Sequence, residues 1–355
     1  MNFEQLLKFA VDQGASDVHL QTSATPQLRI GGMIRNVEGA PIEEESLCGF
    51  LEKIVPKSLT NDLAGALQRG TVFSKTIEGV GRFRCALFSH VGHPGVALRV
   101  IPTTVRAAEE LNLPPVIREI ALARGGLTLV SGIAGTGKTT TVAALVDAIN
   151  SAQPAKIVTI EDPVENLHPR KKALVTQLEL GLDAPSFEHA LTRALRQDAD
   201  VLVIDELSDQ PTAIGALRAA EAGKQVIATL VATSPTHAIE RLLHMVGPAE
   251  HNTAMGQIAS TLEAIITQRL AVTKDGGRRP ALEVLRGGPI TAKSLGERRI
   301  ADLRNLPAGR QAGMQKLEQH LVELYQAGLI SGTEALRLAN EPDNVASQIR
   351  GSRTA

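Results

Sequence analysis

Gly132, Gly137, Lys138 and Thr139 stand at the spacing G-x-x-x-x-G-K-[ST], with the apolar run 127–130 before them and an Ala-rich helical stretch after them. The pattern reads as a phosphate-binding loop. Gly132, Ala134, Gly135, Thr136 and Gly137 would offer backbone N–H groups to a polyphosphate. Lys138 would bring a point charge to its β and γ phosphates. The hydroxyl of Thr139 suits Mg²⁺, and Thr139 with Thr140 opens a helix predicted to run to Ile149. The positive N-terminal end of that helix faces the same phosphates.

Paired carboxylates supply the second piece of chemistry. Residues 201–204 are apolar and end in Asp205-Glu206, as in a Walker B strand of a parallel sheet. Asp205 would hold Mg²⁺, directly or through water, and Glu206 would polarise the water that attacks the γ phosphate. Glu161 and Asp162 end another apolar run, 157–160. They either face the nucleotide or serve as salt-bridged or capping carboxylates. After the apolar run 226–230 a polar sensor is expected. Only Thr229, Thr233 and Ser234 are offered there, and His237 lies too far into the next helix to be taken as its equivalent.

These residues need a scaffold of alternating strands and helices. From about residue 113 the pattern is βαβ, which implies a doubly wound parallel sheet with ligands at the carboxyl ends of its strands. The preceding residues read as a small α+β domain. A helix carries Phe3, Leu6, Leu7, Ala10 and Val11 and stops at Gly14. Gly31-Gly32 marks a hairpin, and a helical stretch spans about 44–67. Gly79-Val80-Gly81 and His93-Pro94-Gly95 are expected as turns. The proline-bearing connection after Ile101 divides the chain into 1–103, a linker at 104–112, and 113–355. Helical patterns dominate beyond residue 230, with C-terminal helices from about 285. Met314, Leu317, Leu321 and Leu324 share one helix face, and Ser331 with Glu334 forms a capping box. Arg82, Arg84 and Arg99 recur at strand period. They are either solvated outer-face residues or arginine fingers for a neighbouring subunit's nucleotide.

At 355 residues two domains are the prior. The 37 basic and 38 acidic residues nearly cancel, which removes any global electrostatic argument for an anionic-membrane or nucleic-acid partner and leaves local patches open; no nucleic-acid role is expected. With no Trp and one Tyr, stacking platforms for single strands are scarce. Cys48 and Cys85 form no C-x-x-C pair, so neither a disulfide framework nor a zinc site is expected. No run suits a membrane span and the start lacks signal-peptide features. A cytoplasmic protein is expected.

Six motifs together resemble one family: GASDVHL at 14–20, GRFR at 81–84, the P-loop, TIEDPVE at 159–165, ALRQDADVLVIDE at 194–206 and GMQKLEQHL at 313–321. The chain resembles the PilT/PilU-type retraction ATPases of type IV pili, within the secretion-ATPase superfamily. The resemblance implies an α/β protein with a PAS-like N-terminal domain and a RecA-like P-loop motor domain. It also implies a cytoplasmic hexamer that binds ATP and Mg²⁺, peripheral to the inner membrane through a platform protein of the pilus machinery. The hexamer would be homomeric or mixed with a paralogous motor. Lys138 and Thr139 then match the Walker A residues, Glu161 and Asp162 the so-called Asp box, and Glu206 the catalytic glutamate. Arg82, Arg84 and Arg99 look similar to arginines that reach across the interface. The tetracysteine metal site of the extension ATPases is missing.

Several positions depart from the family. Asp205 replaces a glycine, Ser208 an arginine, Val231 the His box histidine and Ala232 the threonine after it. Thr192 replaces the first arginine of an L-R-x-x-L-R element, although Arg193 is adjacent and Arg196 matches. The A-I-R-N-L-I-R-E segment survives only as ITAKSLGE, with Ala292 in place of its first arginine. Three readings follow: a pilus motor of reduced activity, a nucleotide-binding adaptor with little hydrolysis, or an ATPase of a related type II secretion or conjugation system.

Overall fold

The structure, a computed structural model, describes residues 2–102 and 104–351. The expected domain ends at residues 103 and 355 lie outside the described residues. The chain forms two compact units. The first comprises Met1–Val105 together with two later segments, Glu161–Leu167 and Leu178–Pro185. A division into continuous stretches leaves both segments in the second domain.

The strands of the first unit are β1 (Asp17–Gln21), β2 (Gln27–Ile30), β3 (Met33–Asn36), β4 (Val72–Ile77), β5 (Gly81–His90) and β6 (His93–Ile101). They form one sheet in the order β3-β2-β1-β6-β5-β4. The helix Phe3–Asp12 starts where the Asn2 side chain accepts from the Gln5 N–H, and it buries Phe3, Leu6, Leu7 and Ala10. Gly31 and Gly32 both take positive φ between β2 and β3, the two-residue turn that matches strand twist. The helical stretch expected over 44–67 is three helices, Glu44–Ile54, Lys57–Thr60 and Leu63–Arg69. Pro56 breaks the first, because it cannot donate within a helix. Asp62 caps the third through the Gly65 N–H.

The turn expected at 93–95 is also displaced. Val91 and Gly92 make it, both at positive φ, and Gly95 lies inside β6. Gly95 pairs with Phe88 across the ladder, and a Cβ there would meet the Phe88 ring at 2.3 Å. That glycine makes room for a ring rather than a turn.

The second unit holds a sheet of β7 (Gly126–Ser131), β8 (Lys156–Glu161), β9 (Leu174–Glu179), β10 (Val201–Ile204), β11 (Gln225–Leu230), β12 (Leu262–Val272) and β13 (Arg278–Arg286). Their order is β13-β12-β7-β11-β10-β8-β9. The ladders from β12 through β7, β11 and β10 to β8 are parallel, and β13 pairs β12 antiparallel. Helices dominate beyond residue 230 as expected, but the two strands β12 and β13 among them were not foreseen. Both strands are buried on both faces, so neither shows the alternation that announces a strand.

The C-terminal helices begin with Pro289–Gly296. Met314 precedes the helix Leu317–Gln326 rather than sharing its face. Ser331 accepts from the Glu334 N–H as a cap. The Glu334 carboxylate turns instead to the Val272 N–H and to Arg337, so only half of the expected capping box forms. Among the described residues no helix is long and apolar enough to cross a membrane.

Glu283 on β13 is buried, and its Oε2 has no hydrogen-bond partner. Burial and the Glu318 carboxylate push its pKa up to about 7, against the pull of Lys316, Arg269 and Arg304. A carboxyl whose folded pKa exceeds its unfolded value favours the folded state at low pH, and that contribution fades as pH rises. The window runs from about 4.5 to about 7 and spans about 3 kcal/mol. Glu283→Gln should therefore equal the parent near pH 4.5 and exceed its stability at pH 8 by about 1–3 kcal/mol in urea unfolding. Parallel pH dependences of the two proteins would refute this.

Candidate active site

The P-loop leaves β7 and enters the helix Lys138–Ala152, which starts one residue earlier and ends three residues later than expected. Gly137 precedes the helix at φ +88, a conformation that strains residues with a Cβ. Ile133, Ala134, Gly135 and Thr140 are exposed, Lys138 and Thr139 are half-buried, and Thr136 is buried. The Lys138 ammonium donates to Gly132 O at 3.0 Å and Ile133 O at 3.1 Å, so the loop's own carbonyls place the charge. Burial lowers the Lys138 pKa, and the carboxylates of Glu206 and Asp205 oppose that shift. The Thr136 hydroxyl donates to Ile133 O at 2.9 Å. A cavity of about 360 Å³ opens on residues 132–136, with Ala232, Thr233, Arg269 and Arg337 also on its wall.

All four residues of β10 are buried, and Asp205 and Glu206 follow at its carboxyl end. The Asp205 N–H donates to Ile160 O and the Leu207 N–H to Thr229 O, each at 2.9 Å. The Thr229 hydroxyl donates to Asp205 O. Both neighbouring strands thus hold the backbone of the carboxylate pair, leaving the Asp205 side chain half-buried and Glu206 exposed. Lys138 opens the helix after the P-loop, Asp205 and Glu206 follow β10, and the fold brings their charges within reach of one another.

Val231 and Ala232 follow β11, half-buried and buried respectively. His237, in the helix Pro235–Val246, accepts from the Thr233 N–H at 3.3 Å, and its Nδ1 lies 3.1 Å from the Thr233 hydroxyl. Its ring braces that loop rather than replacing a histidine at 231.

The other candidates belong to the first unit. Arg82 is only 7% exposed, which overturns a solvated outer-face position for it. Its guanidinium donates to Val164 O at 2.6 Å, Glu165 O at 3.3 Å and the Thr76 hydroxyl at 3.1 Å. Carbonyls of the Glu161–Leu167 segment take the place of water around it. Arg84 pairs with the Glu165 carboxylate at 3.1 Å. Arg99, whose side chain is 64% exposed, pairs with Asp17 at 3.0 Å. Glu161 is buried at the end of β8, and Asp162 after it is exposed. Glu161 and Glu179 are the carboxylates whose charges act on Arg82.

Sequence patterns miss three residues. Glu179 accepts from the Ser74 N–H at 3.1 Å and the Val164 N–H at 3.0 Å, and its pKa is raised by burial against those bonds. Nothing around it in the sequence marks it. Gln268 contacts the P-loop directly, donating to Thr136 O. Arg269 donates to Leu338 O and Asn340 Oδ1 and lines the P-loop cavity. The available signal for these two is a polar pair interrupting the apolar run LEAIITQRLAV.

The family model for Type II/IV secretion system proteins matches residues 2–279. The chain is 35% identical over 345 residues to the type IV pilus retraction ATPase PilT of Pseudomonas aeruginosa, covering 97% of this chain and 100% of that protein. It is 33% identical over 352 residues to the type IV pilus ATPase PilU of the same organism, covering 99% and 92%. A crystal structure of the pilus retraction motor PilT with bound ADP matches at a TM-score of 0.89 and 32% identity, covering 97% of this chain and 98% of that one. Matched by the family model over most of its length and a third identical to full-length relatives, the chain belongs to the Type II/IV secretion system protein family.

Proposed function

We propose that the chain is an ATP-hydrolysing motor of the type IV pilus machinery that powers or assists pilus retraction, and hence twitching motility. The observation that carries this reading is the convergence of Lys138, Asp205 and Glu206 at the P-loop in a chain that parallels PilT and PilU along nearly its whole length. Residues 1–103 are its PAS-like domain and 113–355 its RecA-like motor domain. Gly132, Ala134, Gly135, Thr136, Gly137 and Thr140 cradle the polyphosphate and Lys138 neutralises it. Glu206, exposed at the strand end, takes the proton of the attacking water.

Mg²⁺ would be held by the Thr139 hydroxyl and Asp205. Among the described residues no group of three His, Cys, Asp or Glu side chains is placed to hold a metal. Such a donor set fits an ion that keeps its waters and binds chiefly through nucleotide phosphates. The ion would neutralise charge developing on the transferred phosphoryl group. Arg82 and Arg84 brace the Glu161–Leu167 segment of their own chain, while the exposure of Arg99 suits reach across a subunit boundary. The working assembly is a hexamer, homomeric or mixed with a paralogous motor, docked from the cytoplasm on an inner-membrane platform protein.

Val231 and Ala232 favour a second reading, a nucleotide-binding adaptor of another motor, because apolar side chains cannot donate to a phosphate. Mg²⁺-dependent phosphate release by the purified protein separates the two. For a slow motor, Val231→His raises turnover about tenfold or more, the scale of one preorganised donor. Binding of ATP with no turnover in either protein would select the adaptor.

A further inference from the structure

Strand β12 runs beside the P-loop strand, with Thr267 paired to Ser131. The next residue, Gln268, is 3% exposed. Its Nε2 donates to Thr136 O at 2.7 Å and its Oε1 accepts from the Thr141 hydroxyl at 2.7 Å. The orientation of the amide follows from its partners, since a backbone carbonyl can only accept. Two of the three P-loop glycines, Gly132 and Gly137, close on the same residue. A Cβ at Gly132 would lie 2.6 Å from Gln268 O, and one at Gly137 would lie 2.9 Å from Gln268 Nε2.

We propose that Gln268 is a positioning residue of the nucleotide site, anchoring the Thr136 carbonyl so that the Gly137 N–H is aimed at the phosphates. In a trans peptide the C=O and the N–H of one plane point in opposite directions. Drawing the Thr136 carbonyl toward β12 therefore turns the Gly137 N–H away from it, out of the loop. The second bond ties the same amide to Thr141, in the helix that follows the loop, so loop and helix are held as one body. The inference rests on the nucleotide reading of the P-loop and adds a residue that touches no phosphate itself.

Two variants test it, with Mg²⁺ and a fluorescent N-methylanthraniloyl-ADP as the probe. Gln268→Met removes both bonds at similar volume. It should weaken ADP binding and raise the KM for ATP about tenfold while kcat stays within about threefold, the pattern of lost uniform binding. Gln268→Glu keeps the shape, and only its protonated form can donate to Thr136 O. Relative to the parent, its ADP affinity should be near equal at pH 5.5 and about tenfold weaker at pH 8.5. A merely structural role would lower the unfolding temperature without this pH-dependent ratio. An unchanged ratio at the two pH values, or Gln268→Met binding within about twofold of the parent, overturns the proposal. If Gln268→Met does not fold, the nearly isosteric Gln268→Glu decides alone. A parent that fails to bind the probe overturns the nucleotide reading itself, which the parent measurement shows separately.

Discussion

Lys138→Ala abolishes phosphate release, with turnover falling about a thousandfold or more and nucleotide affinity about a hundredfold. The ammonium lies between two P-loop carbonyls at 3.0 and 3.1 Å, so its position is set before any phosphate arrives. Such preorganisation makes one charge worth more than it is in water, because nothing has to reorient as negative charge builds on the phosphoryl group. Burial lowers the Lys138 pKa, so holding the charge there has a cost to the fold. The alanine variant relieves that cost but loses both hydrogen bonds to the loop carbonyls, so its stability in urea should stay within about 1–2 kcal/mol of the parent's. Phosphate release and fluorescent-nucleotide titration on the same preparation check both halves. Undiminished turnover would mean that the chemistry lies elsewhere in the chain.

Glu206→Gln separates binding from hydrolysis. The amide keeps the size of the carboxylate but cannot accept a proton from water. Turnover should fall about a hundredfold to ten-thousandfold, the range of a positioned general base. Glu206 is exposed and the backbone around it is held by β8 and β11, so stability and the P-loop geometry should persist. ATP affinity should stay within a few-fold of the parent, or tighten because one negative charge near the γ phosphate is gone. Single-turnover phosphate release reads the chemical step even where steady-state turnover is low. Equal, measurable rates in parent and variant would remove Glu206 from the mechanism.

The P-loop, the carboxylate pair and the βαβ pattern were legible because each is written in contiguous residues. Gly132, Gly137, Lys138 and Thr139 span eight positions, and the loop they form is a local backbone solution. The hairpin at Gly31-Gly32 was legible for the same reason. The turn before β6 was misread because Gly95 carries a tertiary role, giving space to Phe88, that looks like a turn in the sequence. Strands β12 and β13 were missed because burial on both faces erases the period of two.

What the sequence alone determined is which groups are available: a glycine-rich loop ending in Lys138 and Thr139, and a carboxylate pair at a strand end. Only the tertiary structure decided which distant residues serve those groups. Gln268 reaches the P-loop from 132 residues away, and Arg82 reaches Val164 across 82. Both are buried polar side chains whose donors had to find acceptors once water was excluded. Which carbonyl satisfies such a donor depends on strand order and register, and no local pattern of residues records that choice.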